Sequence, residues 1–174
     1  RALIIEGKPA NDDGEYLVDA LAADPGITGY SAQLETVDYL RRRSIDEFQS
    51  VFMLNVSSLP EDALAPLEEF VEAGGGLAWF LGDEIRPSYY ISELYNGGTG
   101  LFPVKIGIVA DQTQSSGDSE PDTEFSEHPI FGVFQGQENP FTELTRVFEY
   151  FPVSADWELD DQQRGNNVQT IARL

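Results

Sequence analysis

The stretch from Val51 to Glu84 constrains the fold more than any other part of this chain. Val51-Phe52-Met53-Leu54 is an unbroken apolar run, the pattern of a parallel strand buried on both faces. Ser58-Leu59-Pro60-Glu61 has the form of a capping box with proline near the first helical turn. Leu64, Leu67 and Val71 then recur at helical spacing, which predicts a face that packs on a sheet. Gly74-Gly75-Gly76 predicts the helix stop, because glycine accepts the left-handed cap without steric cost. Leu77-Ala78-Trp79-Phe80-Leu81 is a second apolar strand, closed by Gly82-Asp83-Glu84. Strand, helix and strand within about 30 residues make a βαβ unit with a right-handed crossover. The chain is therefore expected to be α/β with a mostly parallel sheet.

The flanks extend that pattern. Ala2-Leu3-Ile4-Ile5, closed by Glu6-Gly7-Lys8-Pro9, reads as a buried first strand. Glu15 to Asp24 carries Leu17, Ala20 and Leu21 on one helical face, with Pro25-Gly26 ending it. Gln33 to Leu40 is expected to be the second strand, and Ser44 to Phe48 a short helical turn. Beyond Asp83 the pattern loosens. Tyr89 to Leu94 suggests a short helix, Asn96 to Gly100 a loop, and Leu101 to Val109 a β-like run. Leu144 to Val153 and Val168 to Leu174 read as strands with Trp157 between them. The 174 residues suit one domain spanning 1–174. The start at Arg1 in front of a strand, and the apolar end at Leu174, suggest a domain cut from a longer protein.

Charge and cysteine count narrow the function. With 31 acidic against 10 basic residues the net charge is −21, a field that repels nucleic-acid phosphates and anionic lipid. Only two lysines are present, Lys8 and Lys105, while Arg41-Arg42-Arg43 forms either an anion site or a self-neutralising corner. There is no cysteine, which removes disulfides, thiolate zinc sites and cysteine nucleophiles together. No apolar run reaches the roughly 18 residues a membrane span needs. No cofactor is expected.

The segment Phe70-Val71-Glu72-Ala73-Gly74-Gly75-Gly76-Leu77-Ala78-Trp79-Phe80-Leu81-Gly82-Asp83, with Leu101-Phe102-Pro103-Val104-Lys105-Ile106-Gly107 after it, resembles a known domain type. It is the class I glutamine amidotransferase-like domain of large bacterial, planctomycete-type membrane proteins that also carry a von Willebrand factor A domain. His128-Pro129-Ile130-Phe131, the N-terminal strand and the Asn55 to Pro60 turn fit the same pattern. The resemblance implies a flavodoxin-like three-layer sandwich. It also implies a soluble domain of a cell-membrane protein, on the extracytoplasmic side, with the sister von Willebrand domain or another protein as partner. Active members of the wider class place a cysteine at a glycine-flanked strand-to-helix turn. The matching turn here is Leu81-Gly82-Asp83, which has no cysteine, and neither Leu81 nor Gly82 can attack a carbonyl. The expected function is thus a non-catalytic binding or interaction module.

Candidate ligand-binding residues follow from position. Asp83 and Glu84 lie just past a strand's carboxyl end, where open α/β sheets bind ligands, and adjacent carboxylates suit a hard cation. Asn55 ends the preceding strand and is expected near Asp83. His128 is the sole histidine, and Tyr89, with Tyr90 and Tyr95, suggests an aromatic binding face. An alternative function is a carboxylate- or metal-dependent hydrolase built on Asp83, Glu84 and His128. The acidic stretch 111–127, with Asp118, Glu120, Asp122 and Glu124, is expected to be a solvated loop, since its spacing lacks the EF-hand glycine and glutamate.

Overall fold

A computed structural model of the chain describes residues 1–111, 124–134, 146–153 and 168–173. These belong to two compact units, Arg1–Phe102 and Pro103–Leu174.

The first unit alternates strands and helices in the order β1 (Ala2–Glu6), α1 (Asp13–Ala22), α2 (Pro25–Thr28), β2 (Ala32–Thr36), α3 (Tyr39–Arg42), β3 (Ser50–Leu54), α4 (Leu64–Glu72) and β4 (Gly76–Phe80). The four strands form one sheet, ordered β2-β1-β3-β4 and parallel throughout. This is an α/β fold, and its order matches the first four strands of the doubly wound 2-1-3-4-5 arrangement. All five residues of β1 are buried, as expected of a central strand covered on both faces. Paired positions share a face, so Ile4, Leu34, Phe52 and Ala78 point one way and Ile5, Glu35, Met53 and Trp79 the other. The chain steps from β1 to β2 in one direction and from β3 to β4 in the other. Right-handed crossovers then put α1 and α4 on opposite faces.

Local chemistry shifts several boundaries from their expected places. Helix α1 starts earlier than Glu15, because the buried Glu6 carboxylate accepts the Gly14 amide at 3.0 Å. Pro25-Gly26 opens a helix as well as closing one. The Asp24 carboxylate accepts from the Gly26 and Ile27 amides, and Pro25 sits in the first turn of α2. Strand β2 stops at Thr36, and Leu40 instead turns inward from α3. Ser44 to Phe48 forms a turn in which the Ser44 hydroxyl accepts the Asp46 amide.

The expected capping box does not form. Pro60 is extended, and a 3-10 turn, Glu61–Ala63, precedes α4 with no side-chain cap. The Ser58 hydroxyl is taken up by the Arg86 guanidinium. The buried stripe is Ala63, Leu67 and Phe70, at i, i+4 and i+7, while Val71 is 38% exposed. The glycine stop holds: Gly74 has φ 95, and the Gly75 amide reaches back to the Phe70 carbonyl at 2.9 Å.

After β4 one turn of helix, α5 (Pro87–Tyr89), runs into a π-helical stretch, Tyr90–Tyr95. Tyr90 and Tyr95 are buried, so they are core rather than an exposed aromatic shelf. The Tyr90 ring meets Trp79 and Phe102 edge-on at 5.6 and 5.3 Å, and its hydroxyl donates to the Val56 carbonyl at 2.7 Å. Burial pushes that phenol well above the usual tyrosine range.

The second unit is antiparallel where described. β5 (Ala110–Asp111) pairs with β7 (Glu149–Tyr150), β6 (Glu124–Phe125) pairs with β8 (Ala172–Arg173), and Ile106 bridges to Val153. The strands expected over 101–109, 144–153 and 168–174 thus shrink to short pairings. Glu124, placed by the sequence in a solvated loop, lies in β6. Asp118, Glu120, Asp122, Leu144, Trp157 and Leu174 lie outside the described residues. Among the described residues no helix is long and apolar enough to cross a membrane.

The phase of α4 is checked by two truncations. Leu67→Ala is expected to lower the unfolding free energy by about 2–5 kcal/mol, and Val71→Ala by less than about 1 kcal/mol, in urea denaturation of the purified chain.

Candidate functional site

The strand order reverses its direction of travel between β1 and β3, so the loops leaving their carboxyl ends diverge and open a crevice. Asn55 stands at that point. It leaves β3 with φ 48 while its amide still donates to the Phe80 carbonyl at 2.9 Å, a left-handed conformation that asparagine tolerates better than most residues. Its side-chain amide donates to Asp83 Oδ1 at 2.7 Å, and its Oδ1 accepts the Glu84 backbone amide at 2.9 Å. Asn55 therefore fixes the turn after β4 from the end of β3.

Lys8, from the loop after β1, completes the cluster. Its ammonium donates to Asp83 Oδ2 at 2.5 Å and lies 3.3 Å from Glu84 Oε1. The Asp83 hydrogen bond, then that to Glu84, raises the lysine pKa above its ordinary value. The Lys8 hydrogen bond, then that from Asn55, holds the Asp83 carboxyl below the usual aspartate range. The two shifts agree on one charge-assisted contact, weakened by its exposure to solvent. The sequence reading brought Asn55, Asp83 and Glu84 to one place and missed Lys8. The signal was present in the position of Lys8 just after the first strand.

Two glycines permit this convergence. A Cβ on Gly7 would stand 2.1 Å from the Asn55 carbonyl oxygen, and one on Gly82 would stand 2.6 Å from Asn55 Cγ. The space beside the Gly82 backbone is filled by the Asn55 amide, so a side chain at position 82 would displace Asn55 from its contacts.

The remaining candidates serve other contacts. Tyr89 is half-buried, with its ring edge-on to Tyr90 at 6.3 Å. Burial raises its hydroxyl pKa, opposed by a hydrogen bond with the Leu59 backbone. His128 belongs to the second unit. Its Nδ1 accepts the Ile130 amide at 3.3 Å, capping the 3-10 helix Pro129–Phe134. Among the described residues no group of three histidine, cysteine, aspartate or glutamate side chains is placed to hold a metal ion. At the Arg41-Arg42-Arg43 corner, Arg41 lies 3.7 Å from Asp62.

Beside the cluster, an open groove of about 510 Å³ runs along α1. Tyr16, Leu17 and Ala20 form one wall, and Leu54, Phe80 and Leu81 form the floor, with Asp13 and Asp83 at its edges.

Comparison with known protein families, curated proteins and solved structures finds no match to this chain.

Two measurements check the cluster. In a carboxyl titration followed by NMR, Asp83 should titrate below the ordinary aspartate range and move up towards it in Lys8→Met. Because the folded-state value is depressed, the stability it confers is present above the ordinary aspartate pKa and is lost as pH falls through the depressed one. Asn55→Ala should destabilise the fold by about 1–2 kcal/mol, from lost hydrogen bonds and because alanine tolerates the left-handed conformation less well than asparagine. Asn55→Gly, free of that strain, should cost less in the same denaturation assay.

Proposed function

We propose that this chain is a non-catalytic interaction module of a membrane-anchored protein, one that keeps a flavodoxin-like, amidotransferase-like architecture without its chemistry. The observation that carries this reading is the filling of the nucleophile position. Leu81-Gly82-Asp83 is the turn that matches the one where the resembling family carries its cysteine, and at its centre the Asn55 side chain occupies the volume that a Cβ on Gly82 would need. The neighbouring carboxylate is engaged as well, since Asp83 holds Lys8 on one oxygen and Asn55 on the other. A carboxylate whose two oxygens carry an ammonium and an amide is poorly placed to act as a general base or a metal ligand. A surface built this way serves as a rigid face for contact, and the strand-end region around Asn55, Asp83 and Tyr89 is the side it would present. A sister von Willebrand factor A domain, or another component of an extracytoplasmic assembly, is the proposed partner.

The reading is tested with the purified chain and its Asp83→Ala variant. Ammonia release from glutamine is expected to stay at the uncatalysed rate in both. Mg²⁺, Ca²⁺, glutamine and simple sugars are expected to leave the melting temperature unchanged. A ligand at about 100 times its dissociation constant would add about 2.7 kcal/mol, a readily visible shift. Turnover, or a ligand-induced shift, that Asp83→Ala abolishes would sink the proposal in favour of a carboxylate- or metal-dependent hydrolase.

A further inference from the structure

We infer that the groove along α1 is a docking site for a cationic amphipathic helix of a partner protein. This inference rests on reading the chain as an interaction module, and names where and with what chemistry it would act.

Topology leaves the slot open. The right-handed β1-to-β2 crossover puts α1 over that half of the sheet, and the β3-to-β4 crossover puts α4 on the other face. On the α1 face, therefore, the β3–β4 half gains no helix from the crossovers of the first unit. Exposure agrees with this. Phe80 is 51% exposed on that face, stacked on the half-buried Phe52 at 6.4 Å, and Tyr16 is 69% exposed across from it. Of the residues of α1 only Gly14 is fully buried, although Leu17, Val18 and Leu21 are apolar. A helix whose apolar side chains stay half-covered, beside a sheet face bearing an open phenylalanine pair, lacks a neighbour on one side among the described residues of the first unit. The residues of α1 that line the groove, Asp13, Tyr16, Leu17 and Ala20, follow the i, i+3, i+4, i+7 stripe, which suits packing against another helix.

Charge selects the occupant. Helix α1 and its flanks carry Asp12, Asp13, Glu15, Asp19 and Asp24 with no basic residue; of the two aspartates lining the groove, Asp83 is paired with Lys8, so Asp13 and the other acids of α1 set the sign. Lys8, the cation of the adjacent loop, is held by Asp83 and Glu84. A helix with an apolar stripe and lysine or arginine flanks satisfies both floor and wall. A second copy of this chain would bring a net charge of −21 against the same sign, which opposes self-association.

The test uses a four-turn helical peptide with a leucine face and lysine flanks, titrated into the chain and followed by amide chemical shifts. A scrambled peptide and one with glutamate for lysine serve as controls. Binding of the patterned peptide alone is expected, with shifts clustered at Tyr16, Leu17, Leu54 and Phe80 and an affinity that falls as salt rises. Phe80→Ser, and separately Ala20→Lys at an exposed position, should each weaken it at least tenfold. Equal binding of the scrambled or acidic peptide, shifts elsewhere, or no binding overturns the inference. So does dimerisation of the peptide-free chain that Phe80→Ser disperses, which would make a second copy the occupant. None of these outcomes bears on the non-catalytic reading, which turnover and the Asp83→Ala variant decide independently.

Discussion

The first unit depends on the parallel pairing of β1 with both β2 and β3. A parallel strand cannot be reached by a tight turn, so every connection must cross a face of the sheet. The handedness of those crossings then assigns each helix to a face. Because β1 lies between strands that are reached in opposite directions, the loops at its carboxyl end and that of β3 must part. The crevice at Asn55, and the slot along α1, are both consequences of that one arrangement.

Fixing the crevice took backbone approach before it took charge. Gly7 and Gly82 bring the chain close enough for one asparagine side chain to occupy the space between strand ends. Asn55 can then hold Asp83 and the Glu84 amide from a single left-handed position. Lys8 contributes from the solvent side, where its ion pair orients the carboxylates more than it stabilises the fold. The result is a polar cap whose groups are largely spent on each other. That is the physical basis for reading this strand end as a supporting surface and not as a reaction centre.

Apolar burial is unevenly distributed. The α4 side packs Leu67 and Phe70 inward, and the Trp79–Tyr90–Phe102 cluster adds edge-on aromatic contacts within the same unit. The Trp79 indole nitrogen is buried there without a hydrogen-bond partner, a cost that the aromatic packing must offset. The α1 side leaves Phe80 and Tyr16 open to solvent. Such asymmetry between two faces of one sheet is what the proposed contact on the open face rests on.

How much was legible in the sequence depended on the range of the forces involved. Apolar runs fixed β1, β3 and β4, and the glycine run fixed the end of α4, because burial on both faces and a positive φ each leave a local mark. Asn55, Asp83 and Glu84 could be gathered into one place because adjacent parallel strands end side by side. The phase of α4 could not be read, since Phe70 and Val71 both lie at helical spacing from Leu67 and only packing against the sheet chose Phe70. Ser58 went to Arg86, and Tyr90 and Tyr95 became core, because partners distant in sequence competed for them. Lys8 joined the cluster for the same reason. The sequence by itself determined the class of fold and the absence of a cysteine nucleophile, which are properties of composition and local pattern. The tertiary structure alone decided that Asn55 fills the space beside Gly82 and that the α1 groove is open among the described residues of the first unit, because both depend on which elements meet across the sheet.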